Sequence, residues 1–254
     1  MSASGTPASS STGSRSADEA GGALSPLVEA LTVTAVFAVA AYQFGAVGRG
    51  GAIGGLFVGT VIYASLGWRG FAVLALFVAG GSALTRLGYD EKRRRGRAEA
   101  RSGRRGAANA LANCGVALLC ALGAALASTE VLVAAFVSAL GAAFADTAES
   151  EIGQLYRGSP RLITNLKKVP PGTDGAVSAP GTLAGLAAAG VTSLSALLLG
   201  LVGGGAAAVV FAAAFLGTLA DSLVGALAPR LGNELTNVIC TLFAAATTIS
   251  VLAV

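Results

Sequence analysis

Val131-Leu-Val-Ala-Ala-Phe-Val-Ser-Ala-Leu-Gly-Ala-Ala-Phe-Ala145 runs without a break into Asp146-Thr-Ala-Glu-Ser-Glu-Ile-Gly153. The first stretch carries no charge. A membrane helix needs ~20 apolar residues, so this run spans a bilayer only if it extends into the polar cluster. Continued as a helix, it places Asp146, Glu149, Ser150 and Gly153 at i, i+3, i+4 and i+7, on one face. Ionisable groups beside a membrane span are costly, so such a face is a functional-site candidate.

Similar apolar runs recur at Leu27–Phe44, Ala46–Leu66, Phe71–Leu87, Ala107–Ala127, Leu183–Val202, Ala206–Leu227 and Leu235–Val254. Hydrophobic residues make up 54% of the chain and charged residues 12%. The mean hydropathy is +0.73. These values lie far from those of a soluble domain. The expected fold is all-α: a polytopic helical membrane protein of about eight transmembrane helices (seven to nine), with no β-sheet. Open strands cannot cross a bilayer. Glycine clusters at Gly50–Gly55 and Gly200–Gly205 suit close helix packing.

The organisation expected is a disordered tail over residues 1–23 and one transmembrane domain over 24–254. Met1–Gly22 is rich in Ser, Gly, Ala and Thr and lacks apolar periodicity. It also lacks the basic start and apolar centre of a signal peptide. The loop 86–106 contains Lys92, Arg93, Arg94, Arg95, Arg97, Arg101, Arg104 and Arg105, so it is expected to stay cytoplasmic. The helix pair that follows returns the loop 146–181 to the same side, and the next pair returns Asp221 and Arg230. Both termini then lie outside. The expected location is the plasma (inner) membrane with a cytoplasmic active face. The basic loop also suits anionic membrane lipids or an anionic nucleotide. One aromatic residue, Tyr89, and no binding fold around it argue against nucleic-acid binding.

The chain has no histidine and three cysteines, Cys114, Cys120 and Cys240, all in apolar runs. Histidine-based catalysis and zinc sites are thereby disfavoured. A metal here would be a hard cation on oxygen ligands, with Mg²⁺ first. Asp146 and Glu149, one turn apart, suit such an ion. Ala148-Glu-Ser-Glu-Ile-Gly153 is echoed by Ala220-Asp-Ser-Leu-Val-Gly225, and both copies end a helix running the same way. Asp221 in mid-run costs ~3 kcal/mol on an insertion scale, so it should face a polar interior. Glu149 and Asp221 could then hold one Mg²⁺ between two helices. Ser222 follows Asp221 in the second copy as Ser150 follows Glu149 in the first.

Lys167-Lys-Val-Pro-Pro-Gly-Thr-Asp-Gly175 combines point charges with a turn. Lysines suit phosphate. Gly172 and Gly175 allow backbone N–H groups to converge on an anion. Gly181-Thr182 opens the next span, where a helix N-terminus favours phosphate. Asn109 and Asn113, and again Asn233 and Asn237, lie one turn apart at span entrances and are expected to bond across to other helices.

Asp146-Thr-x-x-Ser-Glu-Ile-Gly153, Leu162-Ile-Thr, Lys168-Val-Pro-x-Gly-Thr-x-Gly-x-Val-Ser178 and Gly181-Thr together resemble one family. It is the uncharacterised-domain family of integral membrane proteins that includes transmembrane protein 19 and the plant phytyl-phosphate kinase. The resemblance covers roughly residues 27–254. It departs from the pattern at Ala145, Ala148 and Ala176. What it implies is phosphoryl transfer from CTP, or another NTP, to a phytyl or prenyl monophosphate. On that reading Asp146, Glu149, Lys168 and Asp221 are catalytic, and Asp146, Glu149 and Asp221 hold Mg²⁺. Lys167, Lys168, Gly172, Thr173, Asp174, Gly175, Ser178, Gly181 and Thr182 bind nucleotide phosphates. A phosphate monoester is largely dianionic at neutral pH and is a nucleophile without a strong base. For an alcohol acceptor, Asp146 or Asp174 could serve as base. Two classes compete: a membrane transporter or ion-coupled carrier, which predicts inverted repeats and helices broken at mid-membrane, and a non-catalytic membrane scaffold whose polar loop only docks a partner.

Overall fold

The computed structural model describes residues 12–98 and 103–254, with side chains from residue 26 onward. Helix α1 spans Thr12–Gln43, α2 Arg49–Arg86, α3 Tyr89–Arg94, α4 Ala107–Ala127 and α5 Glu130–Leu155. After a short β1 (Arg161–Leu162) and β2 (Ala176–Val177) come α6 (Ala179–Leu198), α7 (Gly204–Leu227) and α8 (Asn233–Leu252).

The backbone is helical from Thr12 onward; residues 1–11, the first part of the stretch expected as a tail, lie outside the described residues. One expectation is corrected. A small sheet exists: β1 and β2 pair antiparallel, with Arg161 opposite Val177 and Leu162 opposite Ala176. This pairing sits outside the long helices, so its edges need no lipid shield.

Seven described helices are long and apolar enough to cross a membrane. One of them, α2, has 38 residues. At 1.5 Å per residue that is ~57 Å, nearly twice a hydrocarbon core. Its two ends nevertheless meet the same turn. The Gly48 N–H donates to Arg105 O at 3.0 Å, and Arg86 at the far end of α2 donates to Phe44 O. The rings of Tyr63 and Phe71 lie 5.8 Å apart, whereas eight residues of straight helix would separate them by ~12 Å along the axis. The reversal is at Gly67, whose φ of 65° and ψ of −168° belong to a region open to glycine almost alone. Thus α2 is two crossings, and the expected runs 46–66 and 71–87 are its arms. With α2 counted twice, the described residues hold eight candidate crossings.

The core is α5. Every residue from Ala134 to Ala145 is buried. Neighbouring helices approach it through small residues, as van der Waals packing inside a bilayer requires. A side chain added at Gly141 would stand 3.1 Å from the Ala214 Cβ of α7. Ser138 Oγ donates to Ala244 O of α8 at 3.3 Å, and Ser193 Oγ of α6 donates to Ala207 O of α7 at 2.6 Å. Large apolar side chains such as Leu119, Leu126, Leu183 and Leu198 point outward, as lipid-facing positions do.

Alternating helix directions give the bundle two unlike ends. The turns at residues 44–48, 87–98, 103–106, 156–178 and 228–232 gather at one, the polar end. Gly67 and the α4–α5 and α6–α7 turns lie at the other. Among residues whose side chains are described, every lysine and arginine except Arg69 belongs to the polar end.

Candidate functional site

The sequence leaves open whether the apolar run 131–145 continues. It does: α5 carries on to Leu155, so Asp146–Gln154 is helix rather than loop. Asp146 and Glu149 lie ~24 and ~28 Å along α5, and Asp221 lies ~25 Å along α7, counted at 1.5 Å per residue. These three carboxylates therefore share one level, where the hydrocarbon ends.

They line a cavity of about 710 Å³ at the polar end. This is within the range of small-molecule sites. Its walls are the α4 entrance with Asn109 and Asn113, the last turns of α5, the segment Pro171–Ser178, and α7 with Asp221 and Ser222. The α7–α8 connection and the start of α8, with Asn233 and Asn237, complete it. The whole predicted helical face, Asp146, Glu149, Ser150 and Gly153, opens onto this space. So do Gly172, Thr173, Asp174, Gly175 and Ser178.

The loop wall is made by two successive turns. Thr173 N–H donates to Pro170 O at 3.2 Å, with Pro171 and Gly172 (φ 90°) at the centre, the residue types a type II turn prefers. Ala176 N–H then donates to Thr173 O at 3.0 Å around Gly175. Gly175 has φ 73°, and a Cβ there would lie 2.5 Å from Ala226 N and Ser222 O. No other residue lets the loop rest on α7. Ser178 Oγ then caps α6 by accepting from Gly181 N–H at 3.3 Å.

Several oxygens in the cavity lack protein partners among the described residues: Glu149 Oε2, Asp221 Oδ1, Asn109 Oδ1 and Gln154 Oε1. Buried acceptors are normally satisfied, so these call for an explanation. The other Glu149 oxygen accepts from Thr182 Oγ1 at 3.2 Å. Thr218 lies beside Glu149, and Thr236 beside Asp221. Arg105 brings positive charge to Asp146. Its Nη2 donates to Thr147 Oγ1 at 3.2 Å, and its guanidinium rests over Phe77 at 5.0 Å.

Four expected site residues do not line the cavity. Lys167 and Lys168 are exposed on the outer limb of a hairpin, where Leu162 N–H donates to Lys167 O at 2.9 Å and Lys168 pairs with Arg161. Gly181 serves packing: a Cβ would stand 2.8 Å from Glu149 O. Thr182 holds Glu149 rather than meeting the space. Asn113 is also corrected. Its amide donates to Asn109 O at 2.9 Å, within its own helix rather than across to another.

Sequence reasoning treats Arg104 and Arg105 only as part of a basic loop, a topology signal that also suits anionic lipid or nucleotide, and singles out neither, yet both line the cavity. A run of basic residues gives no sign of which ones turn inward. Thr147, which the motif contains without giving it a role, also lines the cavity, as do Gln154, Glu234 and Thr236, which no motif marks. Beside the cavity, Lys92 of α3 is fully buried and binds Glu151 Oε2 at 2.5 Å, Thr85 O at 2.9 Å and Leu84 O at 3.2 Å. On the exposed side of α3, Arg94 and then Arg95 hold the Glu91 carboxyl below the usual carboxylate range.

Among the described residues, no three His, Cys, Asp or Glu side chains form a group able to hold a metal by themselves. Mg²⁺ is commonly held by one or two carboxylates plus substrate phosphates and water. The unpartnered oxygens of Glu149 and Asp221 fit that more open donor set.

A buried polar cavity at one end of eight packed crossings defines a polytopic helical membrane protein with a site at the membrane boundary. The family described as "Integral membrane protein DUF92" matches residues 32–234, and the chain belongs to it. "Uncharacterized membrane protein sll0875" of Synechocystis is 39% identical over 76% of this chain and 78% of its own length. "Protein VTE6, chloroplastic" of Arabidopsis thaliana is 34% identical over 66% of this chain and 52% of its own length. "Uncharacterized membrane protein MJ0933" of Methanocaldococcus jannaschii is 36% identical over 76% and 80%. No solved structure matches the chain.

Proposed function

We propose that this protein is a membrane-embedded prenyl-phosphate kinase, passing the γ-phosphoryl group of CTP or another NTP to a phytyl or prenyl monophosphate. The observation that carries the reading is the pair of unpartnered carboxylate oxygens, Glu149 Oε2 and Asp221 Oδ1, set in one cavity with Arg105. Carboxylates alone would repel a phosphate. Carboxylates that hold Mg²⁺, next to an arginine, suit phosphate on phosphate. The motif resemblance to a family that includes a plant phytyl-phosphate kinase points the same way.

In this reaction an oxygen of the monophosphate attacks the γ-phosphorus. The bond from that phosphorus to the β-phosphate bridging oxygen breaks, and a prenyl diphosphate and a nucleoside diphosphate result. Alignment and charge neutralisation are what such a transfer demands. Mg²⁺ bound by Glu149 and Asp221, with Asp146 close by, would supply charge neutralisation. Arg105 balances the remaining acid charge, and Thr182 and Thr236 orient the two carboxylates. The Pro171–Gly175 turns place backbone beside the phosphates. The prenyl chain lies among the helices. On the positive-inside tendency the polar end faces the cytoplasm.

The carrier alternative gains less support. The like acids sit on α5 and α7, which run in the same direction, and they lie at helix ends rather than at a mid-membrane break. The test is transfer of label from γ-labelled NTP to prenyl monophosphates by the purified protein with Mg²⁺. Labelled prenyl diphosphate, absent with Glu149→Gln, is the expected result. No transfer to any chain length by folded protein overturns the reading.

A further inference from the structure

The basic loop is usually read as a topology signal, but part of it is folded into place. Arg95 Nη1 donates to Leu155 O and Arg97 Nη1 to Gln154 O, both at 3.4 Å, across the C-terminal end of α5. Arg95 Nη2 also meets Glu91 Oε1 at 2.5 Å. A helix C-terminus attracts cations, which explains why these two guanidiniums dock there. They face a second, shallower cavity of about 500 Å³, whose wall also includes Tyr156, Arg157 and Pro171.

That cavity has three arginines and one carboxylate, so it is net positive, in contrast to the acid-lined main cavity. It adjoins the main one. Pro171 lines both, and the Arg97 side chain lies 4.0 Å from where a Gly172 Cβ would be. Arginine forks match phosphate oxygens in pairs, and an exposed aromatic ring next to them suits a flat base.

We propose that Arg95, Arg97 and Arg157, with Tyr156, form the docking site for the polyphosphate of a nucleoside triphosphate. Its terminal phosphate would reach past the Pro171–Gly172 turn toward Glu149 and Asp221. This rests on the kinase reading and gives its donor a place, on arginines rather than on Lys167 and Lys168. An anionic lipid headgroup offers the same phosphate chemistry, and the experiment separates the two.

The full-length protein in nanodiscs is titrated with CTP, ATP and inorganic triphosphate, and Kd is measured directly, without turnover. Arg157→Ala and Arg97→Ala are each expected to weaken nucleotide binding about tenfold or more. The NTP KM should rise in parallel, while the KM for prenyl phosphate is unchanged. Arg157 is exposed, so its variant tests the site without threatening the α5 end. Arg93→Ala, outside both cavities, is the control and should bind as wild type. Nanodiscs of phosphatidylcholine alone and with phosphatidylglycerol form the second arm. Nucleotide binding equal in both supports the donor site. Binding that is absent, unaffected by either arginine variant, or abolished by the anionic lipid overturns it. Unaffected binding alongside Glu149-dependent transfer rejects this site and leaves the kinase reading standing. Arginine-dependent binding with no transfer does the reverse.

Discussion

Lys92→Met should be among the most damaging single changes at the polar end, although position 92 sits in a row of surface charges. Lys92 is fully buried, its three donors are used by Glu151 Oε2, Thr85 O and Leu84 O, and Glu151 is itself buried. Methionine keeps most of the volume but leaves the Glu151 carboxylate uncompensated. Breaking one side of a buried ion pair costs ~3–5 kcal/mol. For a chain of this size, each kcal/mol moves Tm by roughly 2–4 °C, so a fall of about 6–20 °C is expected. Lys92→Met with Glu151→Leu removes both charges and should recover at least ~2 kcal/mol of that loss. The assay is unfolding in mixed micelles, with the single tryptophan, Trp68, reporting on the far end and trypsin cleavage at Arg93–Arg97 reporting on α3. A fall in trypsin resistance before the Trp68 signal changes would show α3 leaving as a local unit. A cost below ~1 kcal/mol for Lys92→Met, with no recovery in the double variant, refutes the argument.

Other expectations concern the site and the topology. Glu149→Gln can still accept from Thr182, so it should fold normally yet lose divalent-ion binding, seen with Mn²⁺ by EPR, and at least about 100-fold in transfer. Asp221→Asn should behave alike, and chelation of divalent ions should abolish transfer reversibly. Gly175→Ala meets backbone at 2.5 Å from a positive-φ position. It should cost ~1–3 kcal/mol and raise the KM for NTP; stability and KM equal to wild type would remove the loop from the site. Cysteines placed at Trp68 and at Asn165 should label from opposite sides of sealed vesicles, since they flank opposite ends of the bundle; labelling from one side would refute the reversal in α2.

Periodicity and hydropathy make the spans legible in the sequence, and the 3.6-residue spacing alone puts Asp146, Glu149, Ser150 and Gly153 on one face. Asp221 was readable because an acid in an apolar run must find a polar partner. The reversal in α2 was readable only as two runs. Gly67 is one glycine among 36, and nothing local distinguishes a glycine that turns the chain from one that lets helices pack. Lysines in a glycine-rich loop look like phosphate ligands, yet Lys167 and Lys168 stand exposed on a hairpin limb paired through Arg161 and Lys168 and do not line the cavity. Which of many basic side chains is buried is a tertiary matter: Lys92 goes inside because Glu151 and two helix-end carbonyls await it, while its neighbours Arg93 and Arg94 stay out.

The depth of the acid-lined cavity has a kinetic consequence. On the kinase reading, a substrate whose charged head sits ~25 Å along α5 and α7 would keep its tail at the level of the acyl chains and need not leave the bilayer to react. The concentration that governs its capture is then its mole fraction in the membrane plane. Diluting the membrane with inert lipid should slow the protein, while diluting the suspension with buffer should not.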